Sequence, residues 1–341
     1  MLSRVANSLY WMSRYIERAE NTARIVDTTL QLLLDSRHLN DAQLAAHWMP
    51  IIQATGDETL FGQLFPQANG HAVTDFLVFH PANPNSIFTS ISQARENARM
   101  VRDQITVEIW EELNRLYLFL NSPRAREVWD DSPFDFLQQV KASSLQLVGI
   151  VFATVVHNEG WHFMQAGKFL ERADQTTRIL DVRHASLPVK GLPPTVSQAD
   201  ALEWSAVLRS CSAWDAYKDL HGGDVSPVKV AEFLLLSDNF PRSVRFCVEE
   251  LDHSLRNISG VPARRFSNDA EKLSGRLLAE LEFGTIDEVF TAGLHDYLDL
   301  LQIKLGNIGA AMFNTYIFQP FVNMEDEILV QQEFQQQQSR G

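Results

Sequence analysis

One charged segment is written twice in this chain. YIERAENTARIVD, residues 15–27, returns as FLERADQTTRILD, residues 169–181, with Glu171 standing 154 positions after Glu17 (171 − 17 = 154). A repeat that keeps Glu-Arg-Ala-acid in one phase requires the chain to build a related helix twice. Around the first copy, Leu9, Met12, Ile16, Ala19, Ala23, Val26, Leu30 and Leu33 step by three and four, the apolar seam of a long amphipathic helix. Phe163, Ala166, Leu170, Ala173, Thr177 and Leu180 repeat the seam around the second.

The correspondence runs on. DFLVFHPANPNSI (75–87) aligns with EFLLLSDNFPRSV (232–244) at a shift of 157 (232 − 75 = 157), matching Phe76 with Phe233, Leu77 with Leu234, Pro84 with Pro241 and Ser86 with Ser243. Arg99 and Arg256 each lie fifteen positions after the matched proline. FLVF and FLLL read as helical turns running into a proline stop, because no stretch alternates with period two. Each half is expected to run helix, connection, short apolar helix, proline turn, long helix, and to close with an apolar helix near 134–157 or 286–316. The expected fold is therefore all-α, a helical bundle of two tandem repeats, 1–156 and 157–318, packed as one domain. SLPVKGLPPTVSQ (186–198) reads as a loop within the second half, and residues 319–341 as a C-terminal tail whose Gln-rich end is disordered.

Charge and cysteine usage narrow the class. A net charge of −14 and a pI near 5.1 set the chain against phosphate backbones, so no nucleic-acid partner is expected. Cys211 and Cys247 form no C-x-x-C pair, which excludes a disulfide framework and a thiolate zinc cluster and suits a reducing compartment. The opening MLSRVANSLYWMSR is too polar for a secretory core, and LQLVGIVFATVV (145–156) is about half a membrane span. A cytoplasmic protein with no membrane partner is expected.

Three constellations carry candidate chemistry. On the first repeated helix Glu17, Asn21 and Arg24 lie off the apolar seam, with Arg14 and Arg18 nearby; the copy offers Glu171, Gln175 and Arg178 with Lys168 and Arg172. Three readings stay open. The first is a solvated face, with Glu20–Arg24 and Asp174–Arg178 as i,i+4 pairs of about 0.3–0.5 kcal/mol each. The second is a buried network between helices. The third is a cleft whose arginine forks grip a carboxylate or phosphate. In QARENARMVRDQITVEIWEELN (93–114), Arg95, Arg99 and Arg102 share one helix face beside Glu96, Asn97 and Trp110, either an anion-binding strip or a plain exposed face. In HNEGWHF (157–163), His157, Asn158, Glu159, Trp161 and His162 open the second repeated helix at Gly160. The spacing is not H-E-x-x-H, so no metal is expected; His157 and Glu159 are the general-base candidates, against a bland role in capping and packing. The chain has no P-loop, no dinucleotide fingerprint and no G-x-S-x-G elbow.

Four motifs, YWMSRYIERAENTARIVD, ARENARMVRDQI with EIWEELN, HNEGWHFMQAGKFLERADQTTRILDV and PRSVRFC, make the chain resemble the Alpha-E family over roughly residues 1–318. It departs from the family pattern at Lys168, where arginine is common, and in its Gln-rich tail. The resemblance implies a helical protein whose gene commonly lies beside a circularly permuted ATP-grasp-type ligase and a transglutaminase-like protease homologue. The function it implies is an accessory or binding subunit of an ATP-dependent amide-forming system acting on a peptide or amino acid, itself non-catalytic. ATP and Mg²⁺ would sit on the partner ligase and no cofactor on this chain. Arg18, Arg99, Arg102 and Arg172 would then hold anionic groups, with Glu17 or Glu171 orienting an arginine. The alternatives are an enzyme acting on a peptide or amino-acid amide through His157 or Glu159, and a purely structural scaffold.

Overall fold

In the computed structural model, residues 1–35, 41–182, 198–262 and 264–318 are described. The Gln-rich end lies outside them, as does all but the last residue of the expected loop at 186–198. Among the described residues the chain is helical, with no strand. The protein is an all-α helical bundle.

Among the described residues the helices fall into two runs of eight. The first comprises α1 (Ser3–Asp35), α2 (Asp41–Thr55), α3 (Glu58–Leu64), α4 (Gly70–Val78), α5 (Ile87–Met100), α6 (Val107–Leu120), α7 (Pro123–Asp131) and α8 (Pro133–Thr154). The second comprises α9 (Glu159–Asp181), α10 (Gln198–Ser210), α11 (Trp214–His221), α12 (Pro227–Leu236), α13 (Val244–Ser259), α14 (Asp269–Phe283), α15 (Ile286–Ala292) and α16 (Leu294–Met312), which runs on into a π-helical turn at Phe313–Ile317. The segments read as helical turns before a proline are the ends of α4 and α12. Past each proline a serine restarts the chain: the buried hydroxyls of Ser86 and Ser243 accept from the Thr89 and Phe246 amides, both at 3.1 Å, capping α5 and α13.

One expectation about helix bounds needs correction. The closing helix placed at 286–316 is two helices, because Gly293 takes a left-handed φ of +100° and breaks the chain between α15 and α16. Of the three readings of the charged face of α1, the solvated one is ruled out. Glu17 is 1% exposed and Glu20 0%, as enclosed as Met12 or Ala19 on the seam. The reason is position: α1 packs against α9, with α5 and α8 covering further faces, so a central helix is buried on nearly every side.

Gly167 lets α1 and α9 approach. A Cβ at this position would lie 2.3 Å from the Tyr10 carbonyl oxygen, inside any allowed contact. Around this crossing α5 and α8 pack on α1 while α13 and α16 pack on α9, and one connected apolar core extends from Ala6 to Met312. Among the described residues, no helix is long and apolar enough to cross a membrane.

Candidate functional site: a reciprocal Glu-Arg clasp

The two copies of the charged segment bind each other. Arg172 on α9 reaches across to Glu17 on α1 as a fork, Nε and Nη2 each donating to one carboxylate oxygen at 2.8 Å. In return Arg18 on α1 donates to Glu171 on α9 through Nε at 2.6 Å and Nη2 at 3.0 Å. Such planar pairing is the strongest arrangement open to a guanidinium and a carboxylate. Within each helix the amide one turn on supports its glutamate: Asn21 donates to Glu17 and Gln175 to Glu171, both at 3.2 Å. One turn further, Arg24 closes on Glu20 and Arg178 on Asp174, the i,i+4 pairs the sequence foretells. Arg178 also donates to the Ala54 carbonyl at 3.3 Å.

Around this exchange the two sides differ. Arg14 adds a second cation to Glu171 at 2.7 Å and donates to the Tyr10 hydroxyl at 3.1 Å. Lys168, its counterpart on α9 (168 − 14 = 154), makes no ion pair with Glu17. The extra cation on Glu17 is instead Arg242, which donates to Glu17 at 3.0 Å, to the Asn21 side-chain Oδ1 at 3.1 Å and to Glu20 at 2.6 Å. On the matched turn the residue aligned with Arg242 is Asn85; it accepts from Arg18 at 2.7 Å and donates to Asp57 at 3.0 Å. Arg242 lies in the PRSVRFC motif but is not among the site candidates read from the sequence, and neither is Asn85.

Burial alone would raise both glutamates, but the facing guanidinium groups more than offset it. Arg172 and Arg242 hold Glu17 down to about 2, and Arg18 and Arg14 hold Glu171 down to about 2. A carboxylate depressed on folding contributes stability that is complete above its unfolded pKa and lost as pH falls through the folded one. Stability is therefore expected to fall most steeply between about pH 4.5 and 2. A melting series from pH 7 to 2 checks this; a transition complete above pH 4.5 would remove the clasp as its cause.

The other candidates lie apart from this network. Arg95 and Arg99 both pair with Glu96, and Arg95 also donates to Asn114 at 2.9 Å, so these contacts stay within the α5–α6 hairpin. Arg102 does not share a helix face with Arg95 and Arg99 as expected: it lies past the end of α5, in the turn before α6, with its guanidinium 4.8 Å from the Trp110 ring. At the head of α9, Asn158 caps the helix by accepting from the Trp161 amide at 3.2 Å, and His157 stacks on Trp161 at 4.0 Å. Glu159 pairs with the Met1 amine at 3.0 Å. His162 is pushed down by burial, with His253 and His157 adding repulsion. His157 and Glu159 thus sit at one helix start, each in a packing or ion-pair contact. Burial pushes both thiols, Cys211 and Cys247, up to about 12, so neither is a thiolate near neutrality. Asp181, His295 and Asp299 gather at the surface, with His295 Nδ1 2.7 Å from Asp181.

An all-helical protein centred on two Glu-Arg helices that exchange ion pairs is the class this geometry defines. Residues 1–317 match Alpha-E, described as a predicted alpha-helical domain with a conserved ER motif, and the chain belongs to that family. It is similar to an uncharacterised protein of Mycobacterium bovis and to two of Mycobacterium tuberculosis, each 29% identical over 283 residues. The match covers 75% of this chain but 30% of each relative, so the chain spans about a third of their length. No solved structure matches.

Proposed function

We propose that this chain is a non-catalytic binding subunit of an ATP-dependent amide-forming system, docking on an ATP-grasp-type ligase that carries ATP and Mg²⁺. The observation that carries this reading is the outer surface of the α5–α6 hairpin. There the Arg95 guanidinium lies 4.4 Å from the Tyr117 ring and 5.4 Å from Trp110, with Arg102 over the same tryptophan. Met100 and Val107 stand beside them, each 64% exposed. Arginine and aromatic residues among exposed apolar groups are the composition of interface hot spots. The clasp arginines are spent inside the bundle, whereas Arg99 on this hairpin is open to a partner. The relatives' greater length supports the same reading, since in them the matched region is joined to further chain. The two helix runs support a tandem duplication, and the acidic surface a cytoplasmic setting.

A tagged copy recovered at native expression, with and without ATP, is expected to bring down a ligase-like protein in fixed ratio. Arg99 is 56% exposed with Glu96 as its ion-pair partner, so Arg99→Ala is expected to leave the melting temperature within about 2 °C while reducing that recovery severalfold. Recovery of the chain alone in both conditions would overturn the reading.

A further inference from the structure

The largest departure from symmetry in the clasp is Lys168. Its counterpart Arg14 is committed to Glu171 and Tyr10, whereas the Lys168 ammonium donates to Gln165 Oε1 at 2.5 Å and lies 4.1 Å from the Phe169 ring centre. No carboxylate lies within ion-pair distance of it among the described residues. Glu17, the nearest acid of the clasp, already accepts from Arg172, Arg242 and Asn21. The surrounding network is cationic: Glu17, Glu20, Glu171 and Asp174 face six arginines and Lys168, in a chain whose net charge is −14.

Lys168 also lines a cavity of about 290 Å³ between α1, α8 and α9. Met12, Ile16, Leu147, Phe152 and Met164 give it apolar walls, Ser13 and Gln165 add two neutral polar groups, and Glu17 also lines it with its carboxylate engaged by Arg172 and Arg242. A concave, mostly apolar space of this size with a few convergent polar groups is the usual form of a small-molecule site. We propose that this cleft binds a small carboxylic acid with an apolar body, its carboxylate seated on the Lys168 ammonium and its body between α1 and α8.

The chemistry selects that class. One ammonium beside one amide suits a single carboxylate; a phosphate wants several donors or an arginine fork, and the arginines here are engaged. A cationic ligand would meet the Lys168 ammonium, the one cation lining the cavity among the described residues. Burial, with repulsion from Arg172, brings Lys168 down to about 8, offset only in part by Glu17, Cys247 and Glu250. A bound carboxylate would raise it again by stabilising the ammonium. The related cleft between α1, α9 and α16 has Arg14 in the matching place, but its guanidinium is already occupied, so no such ligand is expected there.

The proposal stands apart from the partnership with a ligase: failed co-purification would leave it intact, and failed acid binding would leave the partnership intact. Calorimetry on the full chain with octanoate is expected to show saturable one-site binding at pH 7, with octylamine silent. Lys168→Met is expected to weaken octanoate about tenfold or more, as loss of a charge-assisted contact does. Gly149→Phe is the second variant. Gly149 lines the cavity and a Cβ there meets nothing within 4 Å, so the ring enters open space and blocks binding while Lys168 remains. Acetic anhydride labelling at pH 8, read peptide by peptide, is expected to show octanoate protecting Lys168 severalfold and the other lysines unchanged. Absence of octanoate binding, equal binding by Lys168→Met, equal binding of octylamine, or labelling of Lys168 unaffected by octanoate would each overturn the proposal.

Discussion

Glu171→Gln is expected to destabilise the protein by about 3–5 kcal/mol, the usual loss when one partner of a buried ion pair is removed. Glutamine keeps the shape and one acceptor but removes the charge that compensates two guanidinium groups. Among the described residues Glu171 is the only carboxylate in ion-pair contact with Arg14 or Arg18. Without it, Arg14 retains the Tyr10 hydroxyl and Arg18 retains Asn85, both neutral partners. The corresponding Glu17→Gln is expected to cost less, because Arg242 keeps its 2.6 Å contact with Glu20. Urea unfolding of both variants, with unchanged slopes, measures the order. A Glu171→Gln protein within about 1 kcal/mol of the parent would show that the contact contributes little.

Gly167→Ala is expected to be as damaging for a different reason. The added methyl would sit 2.3 Å from the Tyr10 carbonyl oxygen and 3.2 Å from the Tyr10 ring. The first contact is with backbone, so no side-chain rotation relieves it, and α1 and α9 must move apart. Separation at the crossing lengthens both Glu-Arg forks at once, adding lost ion-pair geometry to the overpacking cost of about 1–3 kcal/mol. Gly149→Ala makes the control, since its methyl meets open space and alanine favours the helix by about 1 kcal/mol over glycine. Thermal melts are expected to place Gly167→Ala well below the parent and Gly149→Ala at or slightly above it. Equal melting temperatures for the two variants would mean that the crossing is not tight.

The sequence made some of this legible and hid the rest for physical reasons. The two central helices, the all-α class and the two proline turns could be read because periodicity, helix stops and capping serines are local signals. Ser86 and Ser243, aligned at the shift of 157, announce α5 and α13. The break at Gly293 left one local sign, a glycine among apolar residues, which an apolar run outweighs. The charged face of α1 stayed ambiguous because seam reasoning alone assigns every off-seam position to solvent, and that holds only for a helix with one covered face. Asn21 and Glu17 lie off the seam and are buried because α9, α5 and α8 surround α1.

The partner of each glutamate was out of reach altogether. Nothing local to Glu17 says that the residue 155 positions on will lie across from it; that requires knowing that α1 and α9 cross face to face. Arg242 was hidden by the comparison of the halves, since its aligned residue is Asn85 and the two share neither charge nor length. They nonetheless do related work, each tying a proline turn to the central helices. Lys168 was visible as a lysine standing where the other half has Arg14. Its meaning depends on what that arginine is bonded to.

The account rests on direct coupling between the two repeated motifs, and a double-mutant cycle between Arg18 and Glu171 measures it. Arg18→Gln, Glu171→Gln and the double variant, compared by urea unfolding, are predicted to give a coupling energy of about 2 kcal/mol or more. The double variant would then be little worse than Glu171→Gln alone. Additive losses, with coupling within about 0.5 kcal/mol of zero, would contradict a clasp and leave the two helices held by apolar packing.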